Sequence, residues 1–321
     1  LERLQACYTN AISLRNKARY KDADNEDMKA NVMNLNLGRI KYNMGLLLHK
    51  QKVHKNAEQM YRESITLYED YLRDCNTAAI SVEQKGRATE AEKEYQKTRD
   101  VKSQLAKVHY NLAFLLDEGK RVEEAIAEYK KTVTLNPKSI DAYNNLGNLF
   151  YKTNDYNTAK KNYEEAMEID EGCASAHSNL GVLSMKKDNL LEAEKEYKKA
   201  IKSAYASADA HYNLGILHHK LSRYALAEDA YRKCIGVDRR YTDAYYNFGI
   251  LLQKQKRYKE AKEMYHTALK IDPSYANAKI NLEAVESIET QERRIRLKKE
   301  AEKREEIEKE EKAGGRRRAM L

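Results

Sequence analysis

Residues 140–173 read IDAYNNLGNLFYKTNDYNTAKKNYEEAMEIDEGC, and the triplet Asn145-Leu146-Gly147 inside them returns, with one Phe for Leu, every 34 residues up to position 249. The asparagine of this triplet marks the repeat most widely. It stands at Asn43, Asn111, Asn145, Asn179, Asn213, Asn247 and Asn281. A strict period of this length predicts stacked structural repeats rather than a single globular core.

The asparagine column divides the chain into eight repeats. They are 4–37, 38–71, 72–105, 106–139, 140–173, 174–207, 208–241 and 242–275. The first and third repeats are degenerate, because Thr9 and Thr77 replace the asparagine. Since Ala79 and Ala91 keep the register of the third repeat, we expect a normal helix hairpin there. All eight repeats are expected to stack in sequence order.

Apolar residues recur at i, i+3, i+4 and i+7 in each repeat, which predicts two short amphipathic helices. Small side chains at Gly147 and Ala159 allow the two helices to approach closely, and we expect Tyr163 to fill the space beside the next repeat. Pro137 and Pro273 fall between repeats, where proline ends a helix.

The composition of the 321 residues favours helix, with only 2 prolines. A net charge of +9 is mild for this length and does not by itself imply nucleic acid, which is not an expected partner. The four cysteines lack metal-type spacing and are typical of reduced thiols in the cytoplasm. No apolar run in the sequence is long enough to predict a membrane span.

The repeat resembles the tetratricopeptide repeat (TPR) family over residues 4–285. The family signature is met by Tyr143, Leu146, Gly147, Phe150, Ala159, Tyr163 and Ala166, with Glu171 in place of the final proline. The resemblance implies an all-α fold, a right-handed superhelical solenoid of stacked helix hairpins over residues 1–285 that ends in a capping helix. It is similar in type to the long TPR arm of O-linked N-acetylglucosamine transferases.

In that family the sixth position of each first helix borders an inner groove, and the asparagine column occupies it. The resemblance implies that these amides hold the backbone of an extended peptide. The residues concerned are Asn43, Asn111, Asn145, Asn179, Asn213, Asn247 and Asn281. The alternative is that each asparagine braces its own helix through local side-chain to backbone bonds.

Two further columns border the same groove in the family. Lysine stands at position thirteen, as Lys50, Lys152, Lys186, Lys220 and Lys254, and would form a positive edge for acidic partners. The alternative is a solvated lysine at each helix C-terminus. Tyrosine stands at position five, as Tyr110, Tyr212 and Tyr246, and could stack on a partner's side chains, or pack against the neighbouring helix.

Catalytic motifs are missing from the sequence: it contains no phosphate-binding loop, no GxSxG and no HExxH. His109, His177 and His211 lie in an aromatic column and are interpreted as structural. The adjacent His218 and His219 could not both face one metal ion. The sequence therefore predicts neither an enzyme nor a cofactor, metal or small-molecule substrate.

Charged residues replace the repeat after residue 285. Pairs such as Glu292 with Arg296 predict a long solvated helix over 286–313. We expect Gly314-Gly315 to end this helix and residues 314–321 to form a basic flexible tail. The tail contains Arg316, Arg317 and Arg318, which could contact an acidic surface or have no fixed partner.

The most plausible function is a non-enzymatic scaffold or adaptor that binds an extended peptide or a partner protein in its groove, in the cytoplasm. One alternative is a structural component of a large assembly (ciliary axoneme or microtubule, transport or ribonucleoprotein) that docks through the array and the charged helix. The other is a substrate-recruiting arm of a larger enzyme such as a glycosyltransferase.

Overall fold

The computed structural model describes the backbone of residues 2–17, 19–204 and 207–318, and the side chains of these except 4, 8, 15, 20, 24 and 306–318. All regular structure in these ranges is helical. The helices are α1 (Glu2–Asn16), α2 (Tyr20–Lys50), α3 (His54–Gln84), α4 (Ala88–Glu118), α5 (Val122–Leu135), α6 (Ile140–Lys152), α7 (Tyr156–Ile169), α8 (Ala174–Lys186), α9 (Leu190–Ser203), α10 (Ala208–Lys220), α11 (Tyr224–Val237), α12 (Thr242–Lys254), α13 (Tyr258–Ile271) and α14 (Ala276–Arg318). They form two compact units, an N-terminal unit (residues 1–179) and a C-terminal unit (residues 180–321). No helix among the described residues has the length and apolar character needed to cross a membrane.

From repeat 38–71 onward, the turn inside each hairpin uses one residue with positive φ, always at the same position of the repeat. These residues are Lys52, Gly86, Lys120, Asn154, Asp188, Ser222 and Lys256. The left-handed conformation suits glycine, yet only Gly86 meets that preference. Because Gly86 belongs to repeat 72–105, the hairpin predicted for this degenerate repeat is present.

An Asx turn ends the second helix of several repeats. The side-chain Oδ1 of the residue after the helix accepts a hydrogen bond from the backbone N–H two residues later. This happens at Asn136 (3.3 Å), Asp170 (2.9 Å), Asp238 (2.8 Å) and Asp272 (2.9 Å). The side chain offers the backbone an alternative to the helical bond, so the helix stops. Pro137 and Pro273 follow two of these residues, as predicted.

The Asx turn is missing at the ends of repeats 38–71 and 72–105, where one helix continues from each repeat into the next. Tyr68 and Lys102 occupy the Asx position of repeats 38–71 and 72–105. Neither side chain can form the turn, and α3 and α4 each continue for 31 residues. The absence of the turn does not by itself prolong a helix, because α9 ends at Ser203 although Ala204 occupies the same position. Helix α2 has the same length, with Asn34 buried at the equivalent position. The prediction of two short helices per repeat is therefore wrong for this part of the chain.

Ion pairs between second helices reveal which repeats are neighbours. In the C-terminal unit an arginine bonds a glutamate 29 residues earlier: Arg223 reaches Glu194 and Arg257 reaches Glu228. In the N-terminal unit Arg121 bonds Glu58 (2.6 Å), although 63 residues separate them. The separation of 63 residues exceeds the separation of 29 residues in the C-terminal unit by 34 residues, the length of one repeat. Arg87 stands 29 residues after Glu58, yet it pairs within its own helix with Glu90.

The first helices show the same shift. Asn145 donates to Tyr110, Asn247 to Tyr212 and Asn281 to Tyr246, each across 35 residues. Asn111 instead donates to Tyr42, 69 residues away. Repeat 38–71 therefore packs directly on repeat 106–139. Hairpin 72–105 is not inserted between them; it consists of the C-terminal part of α3 and the N-terminal part of α4, which extend away from this junction. The structure thus differs from the expected stacking in sequence order.

The core of five hairpins is a tyrosine ring that packs directly on a glycine, at Gly45, Gly147, Gly181, Gly215 and Gly249. A methyl group at Gly249 would lie 2.5 Å from the nearest ring carbon of Tyr265, and one at Gly45 would lie 2.6 Å from Tyr61. Tyr163 likewise covers Gly147 of its own hairpin. Its ring thus fills a socket inside the repeat. The equivalent tyrosines also contact the next repeat, as expected: Tyr129 accepts a hydrogen bond from Asn145, and the Tyr231 ring stacks on Phe248.

Helix α14 is longer than expected, because it continues through Gly314-Gly315 to Arg318. Glycine lowers helix propensity by only about 1 kcal/mol and does not force a break. Residues 290–305 are all exposed, as predicted for a solvated helix. The predicted contact through Arg316, Arg317 and Arg318 lies outside the described side chains.

Candidate functional site

The seven predicted asparagines all lie on the first helices of hairpins. Helices α2, α4, α6, α8, α10, α12 and α14 carry one each. Asn43 is exposed and the other six are half-buried. Half-burial leaves part of each amide open to a ligand while the rest contacts the protein.

Two of these amides donate one N–H to a tyrosine hydroxyl and the other to a backbone carbonyl of their own helix. Asn111 Nδ2 donates to the hydroxyl of Tyr42 (3.0 Å) and to the carbonyl of Lys107 (2.8 Å). Asn247 Nδ2 donates to Tyr212 (2.8 Å) and to the carbonyl of Asp243 (3.0 Å). A carbonyl only accepts, so it fixes which end of the amide is nitrogen. The acceptor Oδ1 is therefore the group that remains for a ligand, whereas the sequence suggested both donors and acceptor.

The bonds to Lys107 and Asp243 are the local brace that the alternative interpretation anticipated. The bonds to tyrosine hydroxyls were not anticipated. Asn145 Nδ2 has two of them, to Tyr110 (3.2 Å) and to Tyr129 (3.0 Å). Asn111, Asn145, Asn247 and Asn281 thus tie their helices to the hairpin they pack on, which stabilises the stack as well as shaping its surface.

The tyrosines predicted to stack on a partner pack against other rings of the protein. Tyr110 contacts Tyr129 (centroids 5.5 Å apart), Tyr212 contacts Tyr241 (5.0 Å) and Tyr246 contacts Tyr275 (5.2 Å). Burial raises the pKa of the Tyr212 hydroxyl to about 12 and also raises that of Tyr110. The Tyr110 and Tyr212 hydroxyls, which accept from asparagines, therefore keep a proton to donate at neutral pH.

Four tyrosine–asparagine pairs join neighbouring repeats in the part of the chain whose side chains are described, two in each unit. At the tyrosine position, repeats 140–173 and 174–207 have Asn144 and Ser178, both buried. Asn144 donates to Ser175 (3.0 Å). In the N-terminal unit the pairs are Tyr42 with Asn111 and Tyr110 with Asn145, and in the C-terminal unit Tyr212 with Asn247 and Tyr246 with Asn281.

The lysine column is largely engaged by neighbouring groups. Lys152 pairs with Asp117 (2.9 Å), Lys220 pairs with Asp188 (2.7 Å), and Lys254 lies over the ring of Tyr224 at 5.4 Å. Lys50 and Lys186 are exposed. In repeat 106–139 the column holds Glu118 instead of lysine. These contacts reduce the positive edge that five free lysines would create.

A cleft of about 740 Å³ opens where repeat 38–71 meets repeat 106–139. It is lined by Leu46, His49, Lys50, Lys52, His54, Asn111, Phe114 and Glu118. Phe114 is 42% exposed, which is unusual for a large apolar side chain beside a polar row. Sequence analysis missed this cleft, because it exists only when repeat 72–105 is bypassed. The one signal was Glu118 in the lysine column.

The histidines interpreted as structural are buried. His109 Nδ1 lies 2.5 Å from Glu128 Oε2. Burial tends to raise the pKa of Glu128, but its hydrogen bonds to His109 and Lys131 outweigh this and lower it. His177 and His211 are also buried. The His109–Glu128 pair joins the two helices of a hairpin and lies outside the cleft.

Family models agree with the repeat frame. A model described as "Tetratricopeptide repeat" matches residues 140–173, 208–241 and 242–275. A second model with this description matches 38–71 and 174–206, and one described as "TPR repeat" matches 118–154. Together they cover 38–71 and nearly all of 118–275.

Solved structures with similar hairpins are TPR proteins. YrrB, titled a TPR protein with an unusual peptide-binding site, is 24% identical over 54% of this chain and 89% of its own, with a TM-score of 0.40. TTC0263 of Thermus thermophilus is 17% identical over 56% and 98%, with a TM-score of 0.49. The first TPR of Spaghetti (RPAP3), bound to an HSP90 peptide, is 22% identical over 36% and 93%, with a TM-score of 0.36. No curated protein sequence matches the chain significantly.

Proposed function

The chain belongs to the tetratricopeptide-repeat family, and from this we propose that it is a non-enzymatic scaffold that binds an extended segment of a partner protein along its first helices. Proteins of this family generally act as protein-interaction scaffolds. Its four cysteines are free and buried, which is compatible with the reducing cytoplasm. The proposal is supported by the hydrogen-bonding groups of the tyrosine–asparagine pairs.

Each tyrosine–asparagine pair combines an amide acceptor with a hydroxyl donor, and hydrogen bonds inside the protein set the direction of both groups. At Asn111 the two N–H groups are held by Tyr42 and Lys107, so Oδ1 can accept from a peptide N–H. The Tyr42 hydroxyl accepts from this amide and can donate its proton to a peptide carbonyl. Because these groups are already oriented, little side-chain entropy is lost when a peptide binds.

The cleft beside Asn111 adds an apolar contact to these polar ones. Phe114 and Leu46 form its apolar part, while Lys50 and Lys52 lie at its edge. An exposed aromatic ring in a concave site is a common anchor for a partner side chain. The geometry therefore favours an extended segment with an apolar residue near Asn111, its backbone held by the tyrosine–asparagine pairs. The observation that carries the proposal is this combination of Asn111 Oδ1 with exposed Phe114.

Selection from a random peptide library displayed on phage tests the proposal directly. The wild-type chain should enrich a related set of peptides, and Asn111→Ala with Phe114→Ala should bind them about ten-fold more weakly or worse, a loss of about 1.4 kcal/mol. Lys161→Ala, an exposed change on α7, is the matched control and should bind as the wild type does. Equal binding by all three proteins would refute a role for this face.

A second candidate function is a structural component of a large assembly. On α2, Ile40, Met44 and Leu47 are 54%, 44% and 61% exposed. The equivalent residues Val108, Leu112 and Leu115 are buried in the next stacked repeat. Repeat 38–71 therefore ends its stack with an uncovered apolar face. The exposed part of α14 offers a further docking element.

Sedimentation of a native cell extract separates the two candidates. An assembly component should sediment with a much larger particle, and removal of residues 286–321 should shift it toward the mass of the free chain. A free adaptor should sediment at its own mass with or without these residues. The second outcome would exclude a structural role that depends on α14.

A further inference from the structure

We propose that His49, His54 and Glu118 form a binding site for a divalent transition metal of the zinc class. The potential ligand atoms of the three side chains all lie within 4.8 Å of one another. Two imidazole nitrogens and one carboxylate oxygen form a common zinc ligand set, with water in the fourth position. The site lies in the same cleft as Asn111 and Phe114, but it does not depend on peptide binding.

The three ligands come from three helices that the fold holds together. His49 lies in the last turn of α2, His54 begins α3, and Glu118 ends α4. The turn between α2 and α3 brings the two rings to 5.8 Å between centroids. His49 Nε2 lies 2.6 Å from Glu118 Oε2, a hydrogen bond across the junction of two stacked repeats.

Small side-chain rotations convert this arrangement into a tetrahedral site. Ligand bonds of about 2.0–2.2 Å place neighbouring ligand atoms about 3.3 Å apart. The His49–Glu118 contact must therefore open slightly, and His54 must move inward. His54 and Glu118 are exposed and can rotate. The His49 ring is oriented by Phe114 (5.7 Å) and by the edge of Tyr61 (6.4 Å), so its nitrogen already faces the other ligands.

The same positions elsewhere in the chain show that these ligands are not a general feature of the repeat. His219 occupies in repeat 208–241 the place of His49. The residues around it are Tyr224, whose ring lies 6.3 Å away, and Lys254, which lies over that tyrosine. A hydrogen bond between one histidine and one carboxylate would not require a second histidine. The junction at Glu118 thus differs from its counterpart at two positions, with His54 in place of Tyr224 and Glu118 in place of Lys254. Both differences introduce a potential metal ligand.

A metal bound here would join repeats 38–71 and 106–139 directly. Binding to the folded chain alone stabilises it in proportion to the logarithm of the metal concentration over its dissociation constant. The fourth ligand position stays open to water or to a donor group of a molecule in the cleft. Ligand nitrogens must be unprotonated, so binding weakens as pH falls.

Titration of the chelator-treated full chain with Zn²⁺ by calorimetry, and with Co²⁺ by visible absorption, tests the site. We expect one equivalent of each metal to bind, with the intense visible absorption of tetrahedral Co²⁺. His54→Ala and Glu118→Gln change exposed residues and should each weaken binding about ten-fold or more. Circular dichroism should confirm that both variants remain folded.

His219→Ala is the matched control, because it removes a histidine from the same repeat position without altering the cluster. It should bind as tightly as the wild type. The proposal is overturned if the wild-type chain binds no Zn²⁺ at neutral pH. It is also overturned if His54→Ala and Glu118→Gln bind as the wild type does, or if His219→Ala weakens binding as much as they do.

Discussion

The glycine under the Tyr265 ring makes a sharp prediction for Gly249→Ala. Gly249 lies in the middle of α12, and a Cβ there would lie 2.5, 2.8 and 3.0 Å from three ring carbons of Tyr265. Carbon atoms in contact normally stay about 3.5 Å apart or more. The ring is fully buried and cannot withdraw. Either the two helices must separate, or the ring must leave its rotamer.

The magnitude follows from two opposing effects. Overpacking a buried site of this kind costs about 1–3 kcal/mol. Alanine in place of a mid-helix glycine returns about 0.5–1 kcal/mol of helix propensity. The net expectation is a loss of about 1–2 kcal/mol in the free energy of unfolding. Gly236→Ala should show the propensity gain alone, because nothing lies within 4 Å of the Cβ position in α11.

Urea unfolding followed by circular dichroism measures both changes on the same scale. Gly249→Ala should unfold at lower urea than the wild type, and Gly236→Ala at equal or higher urea. Combining Gly249→Ala with Tyr265→Leu should cost less than the sum of the two single changes, because the smaller side chain relieves the overlap. Equal stability of Gly249→Ala and Gly236→Ala would refute the ring-on-glycine packing.

Three further expectations concern single contacts in the C-terminal unit. Tyr265→Phe should lower the free energy of unfolding by about 1 kcal/mol, because it removes the 2.7 Å hydrogen bond from the hydroxyl to Gln253. Tyr231→Phe should be neutral or stabilising, since among the described residues the buried Tyr231 hydroxyl has no partner. Equal losses for the two variants in urea unfolding would contradict this. Hydrogen bonds from Arg257 lower the pKa of Glu228 below 4.5, so this contact stabilises the fold above pH 4.5 and is lost as pH falls through the lowered value. Arg257→Ala should therefore reduce the acid-induced fall of the thermal midpoint, and an unchanged profile would argue against the pair. Lys256→Gly should raise stability by about 1 kcal/mol in thermal unfolding, because the turn holds φ at 60°; a loss would show that the lysine side chain matters more than the backbone.

Most of the hairpin structure could be predicted from the sequence because it depends on local signals. The period fixed the repeat frame, and family models match the same boundaries for 38–71, 140–173, 208–241 and 242–275. Pro137 and Pro273 marked helix ends correctly. The long helices could not be predicted from the Asx position alone, since α2 continues through Asn34 whereas α9 ends before Ala204.

The stacking order could not be predicted, because the sequence offers repeat 38–71 two equivalent neighbours, repeat 72–105 and repeat 106–139. Arg87 and Arg121 stand at equivalent positions of successive repeats, and either could pair with Glu58. Only the packing of the continuous helix α3 against α4 decides between them. The cleft with its histidines follows from that choice, which explains why both remained hidden.

The asparagine site was located by position but not by chemistry. The periodicity placed Asn111 and Asn247 on first helices, where the structure has them. The direction of each amide depends on the Tyr42 and Tyr212 hydroxyls of another hairpin and on a carbonyl one turn earlier. Such contacts across the stack are invisible to a single-sequence pattern. Peptide contact by the column therefore remains a prediction.

Chemical cross-linking of engineered cysteines with a short bis-maleimide tests most directly whether the stack bypasses repeat 72–105. Glu58→Cys with Arg121→Cys should cross-link as efficiently as Glu194→Cys with Arg223→Cys, because both pairs replace direct ion pairs between stacked repeats. Glu58→Cys with Arg87→Cys should not cross-link, since the rise of α3 separates these positions by about 40 Å. Efficient cross-linking of 58 to 87 together with none of 58 to 121 would contradict the bypass, and with it the cleft and the metal site built on that junction.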